Sequence, residues 1–231
     1  MCKLIFTYKP QPVLRLHRLF KKMMAPYRIG SDQRSDQSFG LAIQRETSLE
    51  TLRLSSLPAN EDLSDLAKLS LPNKRLMAHV RIECGPGETC VENTHTFFKQ
   101  SRYLFMHNGS IPLFSCSTTN VEDRNKTDSE RFMEAWLSNQ GLGLGLGLES
   151  SLLEMVKMVD HQDLLLNMVM VDVETGKTIL YSHKNHKSNK NYKTYNTRSE
   201  TFPSLYIHRR MGLVTNFPVY SAVPIDGLHT L

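Results

Sequence analysis

The sequence of 231 residues lacks any apolar run near the roughly 20 residues that a membrane-spanning helix needs. Its longest such run, from about Leu164 to Val171, has the length of a strand. The apolar block at the N-terminus, Met1 to Tyr8, is too short for a secretory signal and lacks a small-residue cleavage site. These absences argue against membrane insertion and against export, and they predict a cytoplasmic protein.

Cysteine is also scarce, and no two of the cysteines have the Cys-x-x-Cys spacing. Because the predicted compartment is reducing, we expect no disulfide framework. His183 and His186 have a common spacing and lack the two further ligands that a zinc site needs, so we predict no metal site. The four cysteines are Cys2, Cys84, Cys90 and Cys116. Of these, Cys2 is unusual because it directly follows the methionine.

Basic residues exceed acidic residues, which gives a formal net charge of +5 and an isoelectric point of about 9.0. Much of the excess lies in a basic loop, about residues 184–198, where Lys, Asn, Tyr and Ser alternate. A basic stretch with aromatic residues can bind nucleic acid. This one lies between two strand-like segments and shows no signature of a binding module, so we favour a solvated loop.

The periodicity of apolar residues predicts an α+β fold with antiparallel strands in a single domain over residues 1–231. A turn at Glu174–Lys177 favours an antiparallel hairpin. The Gly-Leu repeat at about 141–148 is interpreted as an insertion or loop, because glycine at every second position weakens helix and strand alike. Helices are predicted at Val13–Tyr27, Leu63–Leu69, Arg131–Asn139 and Glu149–Val159, and strands at Lys3–Tyr8, Phe39–Gln44, Leu76–Ile82, Tyr103–His107, Leu166–Val173, Thr178–Ser182, Leu205–His208 and Gly212–Thr215.

The chemistry available to Cys2 depends on the removal of Met1, which the modest size of cysteine permits. Cys2 would then carry a free α-amine, whose reference pKa of about 7.7–8.0 suits a general base near neutrality. A thiol beside its own amine needs no histidine partner to become a nucleophile. The position alone favours an accidental cysteine, so the interpretation depends on the rest of the chain.

Four motifs follow Cys2 in order along the chain. They are Ala78-His79-Val80-Arg81, Glu92-Asn93-Thr94-His95-Thr96-Phe97, Leu104-Phe105-Met106-His107-Asn108-Gly109-Ser110-Ile111 and Thr127-Asp128-Ser129-Glu130. Together with Cys2 they resemble the glutaminase domain of class II glutamine amidotransferases, which are N-terminal-nucleophile hydrolases. The closest resemblance is to a small stand-alone branch, which includes the γ-glutamyl hydrolases of ergothioneine biosynthesis and the fungal amidotransferase subunit of glutathione degradation. The resemblance extends from about Cys2 to Asp226.

The resemblance implies a four-layer αββα sandwich of two antiparallel sheets that hydrolyses a γ-glutamyl amide without a metal or organic cofactor. By the same resemblance, Cys2 attacks the side-chain carbonyl, and Asn108 and Gly109 form the oxyanion hole. Arg81 binds the substrate α-carboxylate, and Asp128 accepts from its α-ammonium group. Thr127-Asp128-Ser129-Glu130 is in addition a capping box that opens a helix.

Each of these residues has an ordinary structural alternative. Asn108-Gly109 is a common turn dipeptide. Asp128 near a helix start favours the helix dipole, and Arg81 could form a structural ion pair. His95 lies in the Asn-x-His segment of the family and is interpreted as a residue that shapes the pocket, not as a base.

The sequence also departs from the family branch. Gln37-Ser38 stands where the branch carries Asp-Gly, Glu83-Cys84 replaces a small residue followed by Ser or Thr, and Thr96 replaces a proline. Thr215–Pro218 replaces a Ser-Glu-Pro pattern. These departures are compatible with an altered substrate preference or with lost activity.

The sequence therefore leaves three functions open. The first is hydrolysis of a small-molecule γ-glutamyl substrate such as glutamine or a glutathione-like compound, with a metallopeptidase or another protein as partner. The second is a catalytically degraded binding or regulatory subunit on the same fold. The third and least favoured is a basic protein that binds nucleic acid.

Overall fold

A computed structural model describes residues 2–25, 37–82, 91, 93–111, 114, 126–141, 147–159, 164–185, 205–217 and 223–231. The helices are α1 (Val13–Met24), α2 (Leu63–Leu69), α3 (Asp128–Gly141) and α4 (Leu148–Val159). The strands are β1 (Lys3–Thr7), β2 (Gln37–Gln44), β3 (Leu49–Leu54), β4 (Arg75–Ile82), β5 (Phe97–Lys99), β6 (Tyr103–Ser110), β7 (Leu164–Asp172), β8 (Thr178–Asn185), β9 (Leu205–His208), β10 (Leu213–Thr215), β11 (Val223–Ile225) and β12 (Gly227–Thr230).

The strands form two antiparallel sheets, which confirms the predicted α+β class. The first sheet has the order β11-β9-β10-β1-β4-β2-β3, and the second has the order β12-β8-β7-β6-β5. The predicted hairpin is present as the antiparallel pair β7 and β8. The N-terminal strand β1 lies in the first sheet between β10 and β4.

Three apolar cores arrange these elements in four layers. One core joins α1 and α2 to the outer face of the first sheet, and another joins α3 and α4 to the outer face of the second. The third core fills the space between the two sheets. The order helix, sheet, sheet, helix confirms the predicted αββα sandwich.

Strand β1 is buried on both faces, which explains its continuous apolar sequence. Leu4 and Phe6 lie in the core between the sheets, whereas Ile5 lies in the core beneath α1. The alternation follows from the two-residue period of a strand. The side chain of Lys3 donates hydrogen bonds to the carbonyl oxygens of Lys22 and Ala25, at 3.3 and 2.6 Å, and so ties the strand to the end of α1.

In the part of the chain that the structure describes, no helix is long and apolar enough to cross a membrane. Gly141 ends α3 and Leu148 begins α4, while residues 142–146 of the Gly-Leu repeat lie outside the described residues. The basic loop also falls outside them from residue 186 to residue 198.

The turn between β7 and β8 is held by the buried carboxylate of Asp172. Arg102 donates two hydrogen bonds to it, Nε to Oδ1 at 3.0 Å and Nη2 to Oδ2 at 2.6 Å, and the backbone N–H groups of Glu174 and Thr175 donate to Oδ1. Burial alone would raise the pKa of Asp172, but these hydrogen bonds outweigh it and lower the pKa to about 2.

We predict that Asp172→Asn lowers the free energy of unfolding at pH 7 by about 1–3 kcal/mol, because the Arg102 guanidinium and two backbone N–H groups lose a charged, buried acceptor. Since the folded pKa lies below the unfolded value of 3.8, this stabilisation is complete at higher pH and is lost as the pH falls towards 2. Urea unfolding at several pH values measures both effects. Glu174→Gln is the control: Glu174 also contacts Arg102, at 3.1 Å, but its side chain is 63% exposed. An equal loss in both variants would contradict the prediction.

Candidate active site

In the first sheet, the strand register places Cys2 in a row with two polar residues. Lys3 pairs with Val80 on β4, so Cys2, one residue earlier, stands across from Arg81. Arg81 in turn pairs with Ser38 on β2. Neighbours on adjacent antiparallel strands have Cα atoms about 4.5–5.5 Å apart. The register therefore brings together residues that are widely separated in the sequence.

All three members of this row face the second sheet. Strand side chains alternate between the two faces with a period of two residues. The core between the sheets contains Leu4, two residues from Cys2 along the chain. It also contains Met77, four residues from Arg81, and Ala42, four residues from Ser38. An even separation along a strand places both side chains on the same face. The hydroxyl oxygen of Ser38 is buried and has no hydrogen-bond partner among the described residues.

In the second sheet, Asn108 and Gly109 belong to β6, where they pair with Asn167 and Leu166 of β7. The prediction of a strand ending at His107 and followed by a polar loop was therefore wrong, and so is the turn alternative for this dipeptide. The strand continues because β7 offers a partner for every residue up to Ser110. The side chain of Asn108 shares the inner face with Leu104 and Met106.

Two hydrogen-bond donors at this end of β6 are directed towards the inner face and the β5 side. Asn108 is 4% exposed, and its Nδ2 has no hydrogen-bond partner among the described residues. The N–H of His107 points to the β5 side, where it approaches His95 Nδ1 at 3.5 Å. Because backbone groups alternate along a strand, the N–H of Gly109 points to the same side, away from β7. A buried, unused amide beside such an N–H suits a developing oxyanion.

The row continues from Asn108 across β7 and β8, where the side chains on the inner face of the second sheet are also polar. Asn167 and Ser182 are 0% and 2% exposed, and the Ser182 hydroxyl donates to Asn167 Oδ1 at 2.8 Å. The backbone N–H of Leu205, on β9 of the first sheet, reaches the Ser182 oxygen at 3.4 Å. A buried polar row on one sheet thus faces the row of Cys2, Arg81 and Ser38 on the other.

Asp128 lies where β6 ends, which places its carboxylate beside the same region. Its Oδ2 accepts from the N–H of Ile111 at 2.9 Å, and its Oδ1 accepts from the N–H of Ser129 at 2.8 Å. The predicted cap is present, since Thr127 Oγ1 accepts from the N–H of Glu130 at 3.1 Å. The helix accordingly begins at Asp128 and not at Arg131 as predicted.

His95 connects the two polar rows, and it shows that they lie at the same end of the sandwich. Its ring is 4.4 Å from that of His79, which is two residues from Arg81 on β4, and its Nδ1 faces the backbone of His107, next to Asn108. A side chain that touches both sheets at these positions places Arg81 and Asn108 at the same end of the space between the sheets.

Burial keeps the rings of His79 and His95 neutral. Burial, followed by the charges of His107 and Arg81, lowers the pKa of His79 to about 3. Burial and the charges of His79, His107 and Arg81 hold the pKa of His95 well below its usual range. So weak a base does not take a proton from a thiol at neutral pH, which fits the prediction that His95 shapes the pocket.

The backbone of His95 rests directly on Gly40. A Cβ atom at Gly40 would overlap the His95 carbonyl group and would come within 2.8 Å of Thr96 N. Only glycine permits this approach without a movement of the backbone. Two of the residues that differ from the family branch are close to this contact along the chain: Ser38 is two residues before Gly40, and Thr96 directly follows His95. Both residues are fully buried. Glu83-Cys84, Cys90 and Cys116 lie outside the described residues.

Comparisons with known proteins identify the fold. No protein-family model matches the sequence, and no curated protein matches it. The structure is similar to a glutamine aminotransferase class-II domain protein from Silicibacter pomeroyi, with a TM-score of 0.56 and 16% identity over 100% of this chain and 94% of that one. It is also similar to the glutamine phosphoribosylpyrophosphate amidotransferase of B. subtilis, with a TM-score of 0.57 and 10% identity over 100% of this chain.

A third structure, an allosteric regulatory enzyme of purine biosynthesis, gives a TM-score of 0.57 and 12% identity. This chain spans 49% and 48% of the two purine-related proteins, about half of their length. At these identities the likeness shows the fold alone. The chain shares the fold of class II glutamine amidotransferase domains, which confirms the resemblance noted in the sequence at the level of the fold.

We predict that Gly40→Ala lowers the free energy of unfolding by at least about 1–3 kcal/mol, the usual cost of overpacking, because the overlapped atoms belong to the backbone. Thermal or urea unfolding measures the loss. Gly147→Ala is the matched control, since its Cβ atom would meet nothing closer than Glu149 Oε2 at 3.8 Å. Similar stability of the two variants would show that the sheets do not meet at Gly40 as described.

We also predict that acid destabilises the protein through His79. Its folded pKa lies below the unfolded value of 6.5, so the unfolded chain binds the proton more tightly and stability falls as the pH drops from 6.5 towards 3. At about 1.4 kcal/mol per pH unit, one histidine contributes about 2 kcal/mol between pH 6.5 and pH 5. Urea unfolding of His79→Gln should show a smaller loss over this interval. An unchanged slope in His79→Gln would contradict the assignment.

Proposed function

We propose that the protein hydrolyses a γ-glutamyl amide through a thioester on Cys2 after Met1 has been removed. The observation that carries the proposal is that two rows of polar residues face each other across the inter-sheet space. One holds Cys2 in register with Arg81, and the other holds Asn108 with a buried amide Nδ2 that has no partner among the described residues. The shared fold with class II glutamine amidotransferase domains supports this chemistry.

In the proposed reaction, the Cys2 thiol gives its proton to the α-amine of the same residue, and the sulfur attacks the side-chain carbonyl carbon of the substrate. The neutral histidines leave the amine as the suitable base. The negative charge moves to the carbonyl oxygen, which Asn108 Nδ2 and the N–H of Gly109 stabilise. Removal of one such donor typically costs about 10²–10³ in kcat.

The tetrahedral intermediate collapses when the C–N bond breaks and the departing nitrogen takes the proton from the Cys2 amine. The product amine or ammonia leaves, and the γ-glutamyl group stays on sulfur as a thioester. Water then attacks the thioester and transfers a proton to the amine. Glutamate is released, and the thiol recovers its proton, so that the cycle needs no cofactor.

The proposed substrate carries both charges of an amino acid. The Arg81 guanidinium binds its α-carboxylate by a charge-assisted contact. Asp128 keeps lone pairs beyond those used by Ile111 and Ser129, and it accepts from the α-ammonium group. Reading both groups selects a free γ-glutamyl end, which glutamine and glutathione share.

This chain spans 94% of the class-II domain protein from Silicibacter pomeroyi and 49% and 48% of the other two comparison proteins. We propose a glutathione-like substrate in the cytoplasm, with a metallopeptidase or another protein taking the product.

The test is hydrolysis of glutamine, glutathione and a chromogenic γ-glutamyl amide by full-length protein whose loss of Met1 is verified by intact mass. We predict that Cys2→Ala removes the activity and that Asn108→Ala lowers kcat by about 10²–10³. Asn73→Ala is the matched control, because Asn73 is a buried amide in the loop between α2 and β4. Equal background rates for the parent and Cys2→Ala would favour the binding or regulatory subunit instead.

A further inference from the structure

We infer that Asn216 is a positioning residue that holds the nucleophile by replacing a missing strand partner at the start of β1; this role rests on the proposed function of Cys2. The side chain of Asn216 is fully buried and contacts the backbone on both sides of Lys3. Its Oδ1 accepts from the N–H of Leu4 at 2.7 Å, and its Nδ2 donates to the carbonyl oxygen of Cys2 at 2.8 Å.

The strand ladder explains why such a residue is needed. On the β4 side, β1 is paired from Lys3 onwards, but on the β10 side the pairing begins only at Ile5 with Thr215. Among the described residues, no strand therefore pairs with Lys3 and Leu4 on that side. The planar carboxamide of Asn216 offers one acceptor and one donor, as a peptide group does, and so continues the ladder by two hydrogen bonds.

The turn that carries Asn216 is itself fixed. The Thr215 hydroxyl donates to the carbonyl oxygen of Phe217 at 2.5 Å. The Phe217 ring packs in the core beneath α1, with Lys22 Nζ at 5.7 Å from its centre. A rigid turn with both ends buried can hold the carboxamide in one orientation.

The consequence concerns an N-terminal nucleophile in particular. Once Met1 is removed, no preceding residue restrains Cys2, and the hydrogen bond from Asn216 Nδ2 to its carbonyl oxygen holds the backbone directly at this residue. A displacement of about 1 Å at a reacting group can cost roughly 10²-fold in rate. Asn216 fixes the Cys2 backbone, and with it the direction of the sulfur and of the amine.

The experiment compares Asn216→Asp and Asn216→Ser with the parent, all as the full chain with Met1 removed. Asn216→Asp keeps the acceptor for Leu4 but sets an oxygen against the Cys2 carbonyl. We expect kcat for the chromogenic γ-glutamyl amide to fall roughly 10²-fold, while KM stays within about twofold because Arg81 and Asp128 are untouched. The new carboxylate should also raise the pKa of the Cys2 amine, which moves the acid limb of the rate profile to higher pH.

Asn73→Asp is the matched control. Asn73 is a buried asparagine whose Nδ2 donates to the carbonyl oxygen of Ser70 at 2.7 Å, and it lies in the loop before β4. It should lose stability without a change in kcat or in the pH profile. Hydrogen exchange at the Leu4 amide reports the contact directly: the parent should protect it, and Asn216→Ser should not.

The outcomes separate the two proposals. A parent that neither turns over the amide nor adds a diazo-ketone glutamine analogue at Cys2 overturns the proposed function, and the positioning role with it. An active parent whose Asn216 variants match Asn73→Asp in kcat and pH profile overturns only the role of Asn216. If both Asn216 variants fail to fold, fast exchange of the Leu4 amide in the parent overturns the contact, and protection supports it.

Discussion

The contact between the backbone of Gly40 and the carbonyl group of His95 determines how the two sheets meet at the candidate site. Because no side chain separates them, the segment before β5 lies against β2, and the His95 ring reaches between the sheets to His79 and to the backbone of His107. The same contact therefore sets the separation of the Arg81 row from the Asn108 row. A bulkier residue at position 40 would move one row relative to the other, and an oxyanion site tolerates little movement.

The electrostatics of the site follow from this packing. Three histidines lie near one another, yet burial keeps the pKa of His79 and that of His95 low, so these rings add shape without charge. Two charged side chains of the described residues lie at this end of the sandwich, that of Arg81 on β4 and that of Asp128 at the start of α3. A thiol in these surroundings finds no basic imidazole at neutral pH in those two rings. An α-amine on the nucleophile's own residue meets the need without another buried ionisable group.

The sequence predicted the apolar elements β1, α1 and α2 well because each buries a strand or one clear helix face in a core. Strand β1 and helices α1 and α2 were placed within a few residues, and the α+β class followed from them. The prediction was wrong where local signals and tertiary pairing disagree: Asn108-Gly109 has the composition of a turn, but β7 pairs with it and extends β6. Strand β3 was missed because most of its residues are exposed or half-buried, and β5 because it has only three residues.

The candidate site was predictable from motif order, but its geometry was not. Register is a property of pairs of strands, so the row of Cys2, Arg81 and Ser38 cannot be read from any one segment. The role of Asn216 was invisible for the same reason: its segment was noted only as a departure from a family pattern, and its hydrogen bonds join residues more than 200 positions apart. The departures at Ser38, Thr96 and Asn216 are all fully buried at this end of the sandwich. They therefore change the buried interior near Cys2 and not the outer helix layers.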